Sequence, residues 1–118
     1  MTESQFYPIK QPGIEGAMRH AGDHHDAGRR LRALARDPGV RLRFREHALR
    51  EMAKDGIAQP DILSMLKRCS VVKVEQNRVE ETWNAVGTDR DETRITAVIL
   101  VDEIVITIKV VTAWPHRR

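Results

Sequence analysis

The period of the hydrophobic pattern changes once along this chain, near Val71. Before that point apolar residues recur three and four apart, the spacing of an amphipathic helix; after it they alternate, the spacing of a strand with two unlike faces. A chain that spends its helices first and its strands afterwards, with only short links between strands, builds antiparallel neighbours. The pattern predicts an α+β fold in which N-terminal helices pack on one face of a four-stranded antiparallel sheet.

The strands are expected at Val71–Glu75, Val79–Val86, Thr93–Val101 and Glu103–Thr112. The last two carry unbroken apolar rows: Ile95, Ala97, Ile99 and Val101, and Ile104, Ile106, Ile108 and Val110. Those rows belong under the helices. The opposite rows are mixed: Arg94, Thr96, Val98 and Leu100, and Val105, Thr107, Lys109 and Val111. A second face that is partly apolar with a few polar groups is either covered by a partner or is a working surface.

Three helices are expected ahead of the sheet. One runs from about Asp23 to Arg36, with Leu31, Leu34 and Ala35 as its stripe and Asp37-Pro38-Gly39 as its stop. A second, about Arg45 to Asp55, carries Ala48, Leu49 and Met52 and ends at Gly56, placed for a left-handed cap. A third, Gln59 to Arg68, has Pro60 and Asp61 in its first turn and Ile62, Met65, Leu66 and Cys69 on its apolar side. Val40–Phe44 alternates and reads as a short strand or an extended connector. Residues 1–22, with Pro8, Pro12, Gly13, Gly16 and Gly22, read as an irregular arm before a single domain spanning 23–118.

The 118 residues suffice for one core, and with only 4% aromatic residues that core must be aliphatic. No apolar run nears the roughly 20 residues that cross a bilayer. MTESQFYPIK shows no charged start followed by an apolar stretch, so no secretory signal is expected. A lone cysteine, Cys69, suits a reducing cytoplasm. It sits at a helix C-terminus, where the dipole disfavours a thiolate, so packing rather than nucleophilic attack is its expected role.

Charge is distributed unevenly. Eight arginines fall between Arg29 and Arg50 against only Asp37 and Glu46, whereas Glu75 to Glu92 holds six acids against Arg78 and Arg90. The arginines offer a surface for phosphates or an acidic protein, or else a solvated helix face. No Walker loop, dinucleotide glycine signature, HExxH or nucleophile elbow occurs, which argues against the common cofactor enzymes. His20, Asp23, His24, His25 and Asp26 cluster, but no distant third ligand is nominated, so a polar hinge is the simpler reading and no metal is expected. His47 lies beside Arg43, Arg45 and Arg50. With Arg94, Thr107 and Lys109 on the open sheet face, these residues suggest a phosphodiester site: cations stabilise a pentacoordinate phosphate and histidine moves protons.

The segments LRALARDPG, RFREHALREMAKDGI, ETWNAVGTDRDETRITAVILV and IVITIKVVTAW together resemble an uncharacterised bacterial domain family. Its signature is a His-Ala pair, an Arg-Met pair and an Arg-Gly-Ile on two helices, then a sheet ending in a strand and Trp. His47, Ala48, Met52, Gly56, Ile57 and Trp114 match; Glu51 and Asp55 stand where the pattern has arginine. That family is similar to the BrnT and MqsR toxins and so to the RelE/ParE toxin fold.

The resemblance implies the toxin of a type II toxin–antitoxin system. RelE-like members cleave mRNA, often on the ribosome, through basic and polar residues on the concave sheet face without a metal; ParE-like members inhibit gyrase. A cognate antitoxin would be the partner, with RNA or the ribosome as target and a homodimer as a further option. On this view His47, Arg94, Lys109 and Thr107 are the catalytic candidates and Arg43, Arg45, Arg50 and Trp83 the RNA-binding ones. Trp83 would stack a base if it faces outward, and would pack in the core if it follows Ala85. The alternative is a non-catalytic protein of the same fold that binds an acidic or gyrase-like partner.

Overall fold

A computed structural model describes residues 14–116, with side chains from residue 24 onward. The element order is α1 (Ile14–Arg36), β1 (Arg41–Phe44), α2 (Glu46–Asp55), α3 (Gln59–Leu66), β2 (Ser70–Gln76), β3 (Glu81–Thr88), β4 (Arg94–Asp102) and β5 (Thr107–Pro115). The fold is α+β, as the change of period predicts, with three helices among the described residues. The sheet, however, has five strands and is mixed.

The order across it is β1-β5-β4-β3-β2. The β2, β3, β4 and β5 strands form the expected antiparallel meander, and β1 adds to the free side of β5 in parallel. The predicted four-stranded antiparallel sheet therefore falls short by one strand. Arg41–Phe44 supplies it, because Leu42 and Phe44 pair with Ile108 and Val110 and extend the apolar face. Parallel partners need a long crossover between them, and a four-residue segment gives no sequence sign of a partner 66 positions away.

The first helix begins at Ile14 rather than Asp23. Gly16 and Gly22 weaken a helix by about 1 kcal/mol each but do not end it, and Pro12 precedes the first turn. Of the expected irregular arm, residues 1–13 lie outside the described residues. The other helix ends follow their chemistry. Gly56 closes α2 at φ 71°, and the Asp61 side chain accepts the Ala58 N–H at 2.8 Å to cap α3.

Leu31, Met52, Ile62, Met65 and Leu66 from the helices meet Ile95, Ile99, Ile108 and Val110 of the sheet, all at 2% exposure or less. Gly87 lets α3 approach β3: a Cβ there would stand 2.7 Å from the Met65 carbonyl oxygen. The expected row on β5 is shorter than predicted, since Ile104 is 93% exposed. The Asp102 carboxylate accepts the N–H groups of Ile104 and Val105, and Ile106 adopts φ 48°. The hairpin turn thus runs to Ile106, and the strand starts at Thr107 rather than Glu103.

Candidate functional site

Core positions alternate with positions on the face that the helices leave bare. Along β4 these are Arg94, Thr96, Val98, Leu100 and Asp102. On β5 the alternation breaks once. Val98 pairs with Thr112 and Ile99 with Val110, so Val111 is an extra residue, a bulge. Before it, Thr107 and Lys109 share the open face. After it, Thr112 and Trp114 do, opposite Val98 and Thr96. A bulge of this kind re-aims a strand's side chains. Strict alternation from Lys109 would have put Ala113 and Pro115 on this face instead.

The bulge builds a cluster at one end of the open face. Trp114, 42% exposed, pairs with Thr96. His116 follows one row on, and its N–H donates to the Arg94 carbonyl at 2.8 Å. Its ring Nε2 and the Thr96 hydroxyl lie 2.5 Å apart, and Thr96 is buried. The Thr96 hydroxyl therefore fixes the imidazole, and Nδ1 is left for an outside group. Arg94 is exposed on the same row. An imidazole, a guanidinium and a half-exposed indole on one strand end can transfer a proton, hold a phosphate and stack a base.

Arg41, Arg43, Thr107 and Lys109 occupy the far end of the face. Arg43 stands directly opposite Lys109, and Arg41 opposite Thr107. Lys109 pairs with Leu100, six residues from Arg94 along β4, which places the two ends about 20 Å apart. Arg94 and Lys109 therefore do not converge on one phosphate. Thr107 donates its hydroxyl to the Val105 carbonyl at 3.0 Å. Between the ends lie half-buried Val98, Leu100 and Thr112. Asn84 pairs with Val98, and its side-chain oxygen is buried without a hydrogen-bond partner.

The remaining candidates sit elsewhere. His47 is exposed on the first turn of α2, which buries Ala48 and Met52 on the covered face, so the sheet separates it from Lys109. Trp83 does not face outward. It pairs with Ile99 at 7% exposure, donates to Glu81 at 2.9 Å and lies under the Arg30 guanidinium, 5.5 Å from the ring centre. The exposed indole is instead Trp114, which lies beyond the expected end of the last strand. Arg45 pairs with Glu80 at 2.8 Å and Arg50 with Glu46 at 3.2 Å.

The arginines of α1 hold the fold together. Arg32 donates to the Cys69 carbonyl at 2.9 Å and Arg36 to the Lys67 carbonyl at 2.6 Å, closing the C-terminal end of α3. Arg30 binds Glu103 at 2.6 Å and Asp26 at 3.3 Å. Burial alone would raise the Asp26 carboxyl, but Arg29 and Arg30 donate to it and hold it below its usual value. By contrast, Arg41, Arg43, Arg94 and Lys109 make no side-chain ion pair among the described residues.

Burial raises the Cys69 thiol to about 11, against a smaller opposing pull from the Arg32 charge. That environment suits a packing residue. Among the described residues no three His, Cys, Asp or Glu side chains gather as a metal site. His24 and His25 lie on α1, whereas the side chains of His20 and Asp23 fall outside the described residues. Among the described residues no helix is long and apolar enough to cross a membrane.

Residues 44–115 match the model of a family described as a domain of unknown function, DUF4258. No curated protein and no solved structure matches the chain significantly.

Proposed function

The chain belongs to the DUF4258 family, and we propose that it is an endoribonuclease that works without a metal, the toxin of a type II toxin–antitoxin pair with kinship to the RelE/ParE fold. One observation carries this reading. The bulge at Val111 turns Trp114 to the face where Arg94 and Thr96 already lie, and His116 follows beside them.

RNA cleavage asks little more of a protein than this. The substrate's 2′-oxygen attacks the neighbouring phosphorus while its proton passes to His116. The P–O5′ bond breaks, the 5′-oxygen leaves and takes a proton from water, and a 2′,3′-cyclic phosphate remains. Arg94 neutralises the charge that grows on the pentacoordinate phosphorus. Thr96 positions the imidazole through its contact with Nε2, and Trp114 stacks the adjacent base. His47 takes no part, since it stands on the other side of the sheet.

An antitoxin that silences this site would cover the open face. The exposed Val79, Ile104 and Val105, in the two turns at the far end of the sheet, offer it apolar anchorage. Those same residues favour a second reading, a binding protein with no chemistry. Purified protein incubated with mRNA, with and without ribosomes, separates the two. Discrete cuts that vanish in Arg94→Ala and His116→Ala, at unchanged melting temperature, are the expected result. Absence of cleavage in both settings, together with no growth arrest on expression, overturns the nuclease reading and leaves the binding one.

A further inference from the structure

We infer that Arg43 and Lys109, with Arg41 beside them, form a distal subsite for the backbone of single-stranded RNA, separate from the cleavage end. The inference rests on the nuclease reading above. Arg43 and Lys109 are directly opposite across the β1–β5 ladder. Like charges so placed destabilise a sheet. Among the described residues no carboxylate offsets them: Asp102, in the next row, turns its side chain to the backbone of Ile104 and Val105. Elsewhere Arg29, Arg30, Arg32, Arg36 and Arg45 meet acids or carbonyl oxygens, and Arg78 and Arg90, which have no ion pair among the described residues, stand singly in turns rather than together. A cluster of unmatched cations on one rim of the working face has its natural counter-charge in a phosphate.

The distance sets what that ligand must be. The cluster lies about 20 Å from Arg94 along the strands. A mononucleotide cannot touch both ends. A stacked single strand rising ~3.4 Å per nucleotide needs about six nucleotides to do so. Between the ends the floor is half-buried Val98, Leu100 and Thr112, which suits sequence-tolerant contact with bases. The far end therefore adds affinity for long substrates and does nothing for short ones.

The test uses the full chain and a series of fluorescein-labelled, fully 2′-O-methylated oligoribonucleotides from two to ten residues, which bind without being cut. Fluorescence anisotropy should show affinity rising about tenfold as length passes roughly six nucleotides. The Arg43→Ala/Lys109→Ala double variant should lose that step. Its dependence on salt for the ten-mer should flatten by about 1.4 in the log–log slope, two phosphates at ~0.7 each. Affinity that rises smoothly with length in both proteins, or an equal loss at every length in the variant, overturns the subsite while leaving the nuclease reading intact. Failure of every oligonucleotide to bind overturns the subsite, and the cleavage assay with ribosomes then decides the nuclease reading. Competition at this end by a poly-glutamate peptide, stronger than by the ten-mer, overturns the subsite in favour of an acidic protein.

Discussion

Arginine is used in opposite ways by the helical layer and by the bare face of the sheet. In the helices, Arg32 and Arg36 close the end of α3 and Arg30 joins α1 to the turn after β4. On the sheet, Arg41, Arg43 and Arg94 stand exposed with no ion pair among the described residues. The density of arginine between positions 29 and 50 is thus a poor guide to a binding surface. Six of those eight arginines are paired within the fold. What distinguishes a cation available to a ligand is the absence of an acceptor within the fold, and that is a property of the tertiary structure.

This contrast can be broken most sharply at His116. His116→Ala or Arg94→Ala should lower RNA cleavage about 100-fold or more, with the thermal midpoint unmoved; a fall in both would place these residues with the fasteners. Thr96→Val, which frees the imidazole, should cost about tenfold and alter the pH–rate profile, whereas a merely structural threonine would leave that profile alone.

Next in size is an effect of alkaline pH on the helical side. The Cys69 thiol is raised from 9.0 to about 11 by burial. Below pH 9 both the folded and unfolded chains keep the proton, and stability is unaffected. Above it the unfolded chain ionises first, so stability falls, by about 2 kcal/mol at pH 11 and levelling off above it. Urea titrations of the protein and of Cys69→Ala at pH 8 and 10.5 should therefore converge as pH rises. Native Cys69 should also resist iodoacetamide.

Gly87→Ala should then cost about 2 kcal/mol, because its Cβ would meet backbone at Met65 and Cys69; differential scanning calorimetry reads it. The smallest expected effect is Arg36→Ala, about 1 kcal/mol of stability with no change in RNA affinity. A loss of affinity there would erase the distinction between the two layers.

Much of this architecture was legible in the residues. The change of period at Val71, Gly56 as a stop, Asp61 in the first turn of α3 and the buried row Ile95, Ala97, Ile99 are local patterns, and local patterns survive folding. The site was legible only in part. Arg94, Thr107 and Lys109 do lie on the bare face, but their separation follows from strand register, which no single strand encodes. Trp114 and His116 were hidden because one surplus residue at Val111 reverses the alternation that sequence reading relies on. Trp83 was ambiguous for the opposite reason: its neighbours Val79 and Ala85 suggest the core, and burial under Arg30 is what decides it.

The position of β1 bears on when this face comes into being. Strand β1 is made early but docks beside β5, made last, with Arg41 opposite Thr107. Contacts between residues so far apart in the chain form slowly, because the intervening loop must close first. The β2–β3–β4 meander can pair as it emerges, with α1 and α3 against it, yet α2 and both ends of the open face wait for residues beyond 106. Until β5 is made, the molecule lacks Ile108, Val110 and Ala113 of its core and the strand on which α2 packs. A nascent chain therefore has no complete open face until β5 has cleared the ribosome.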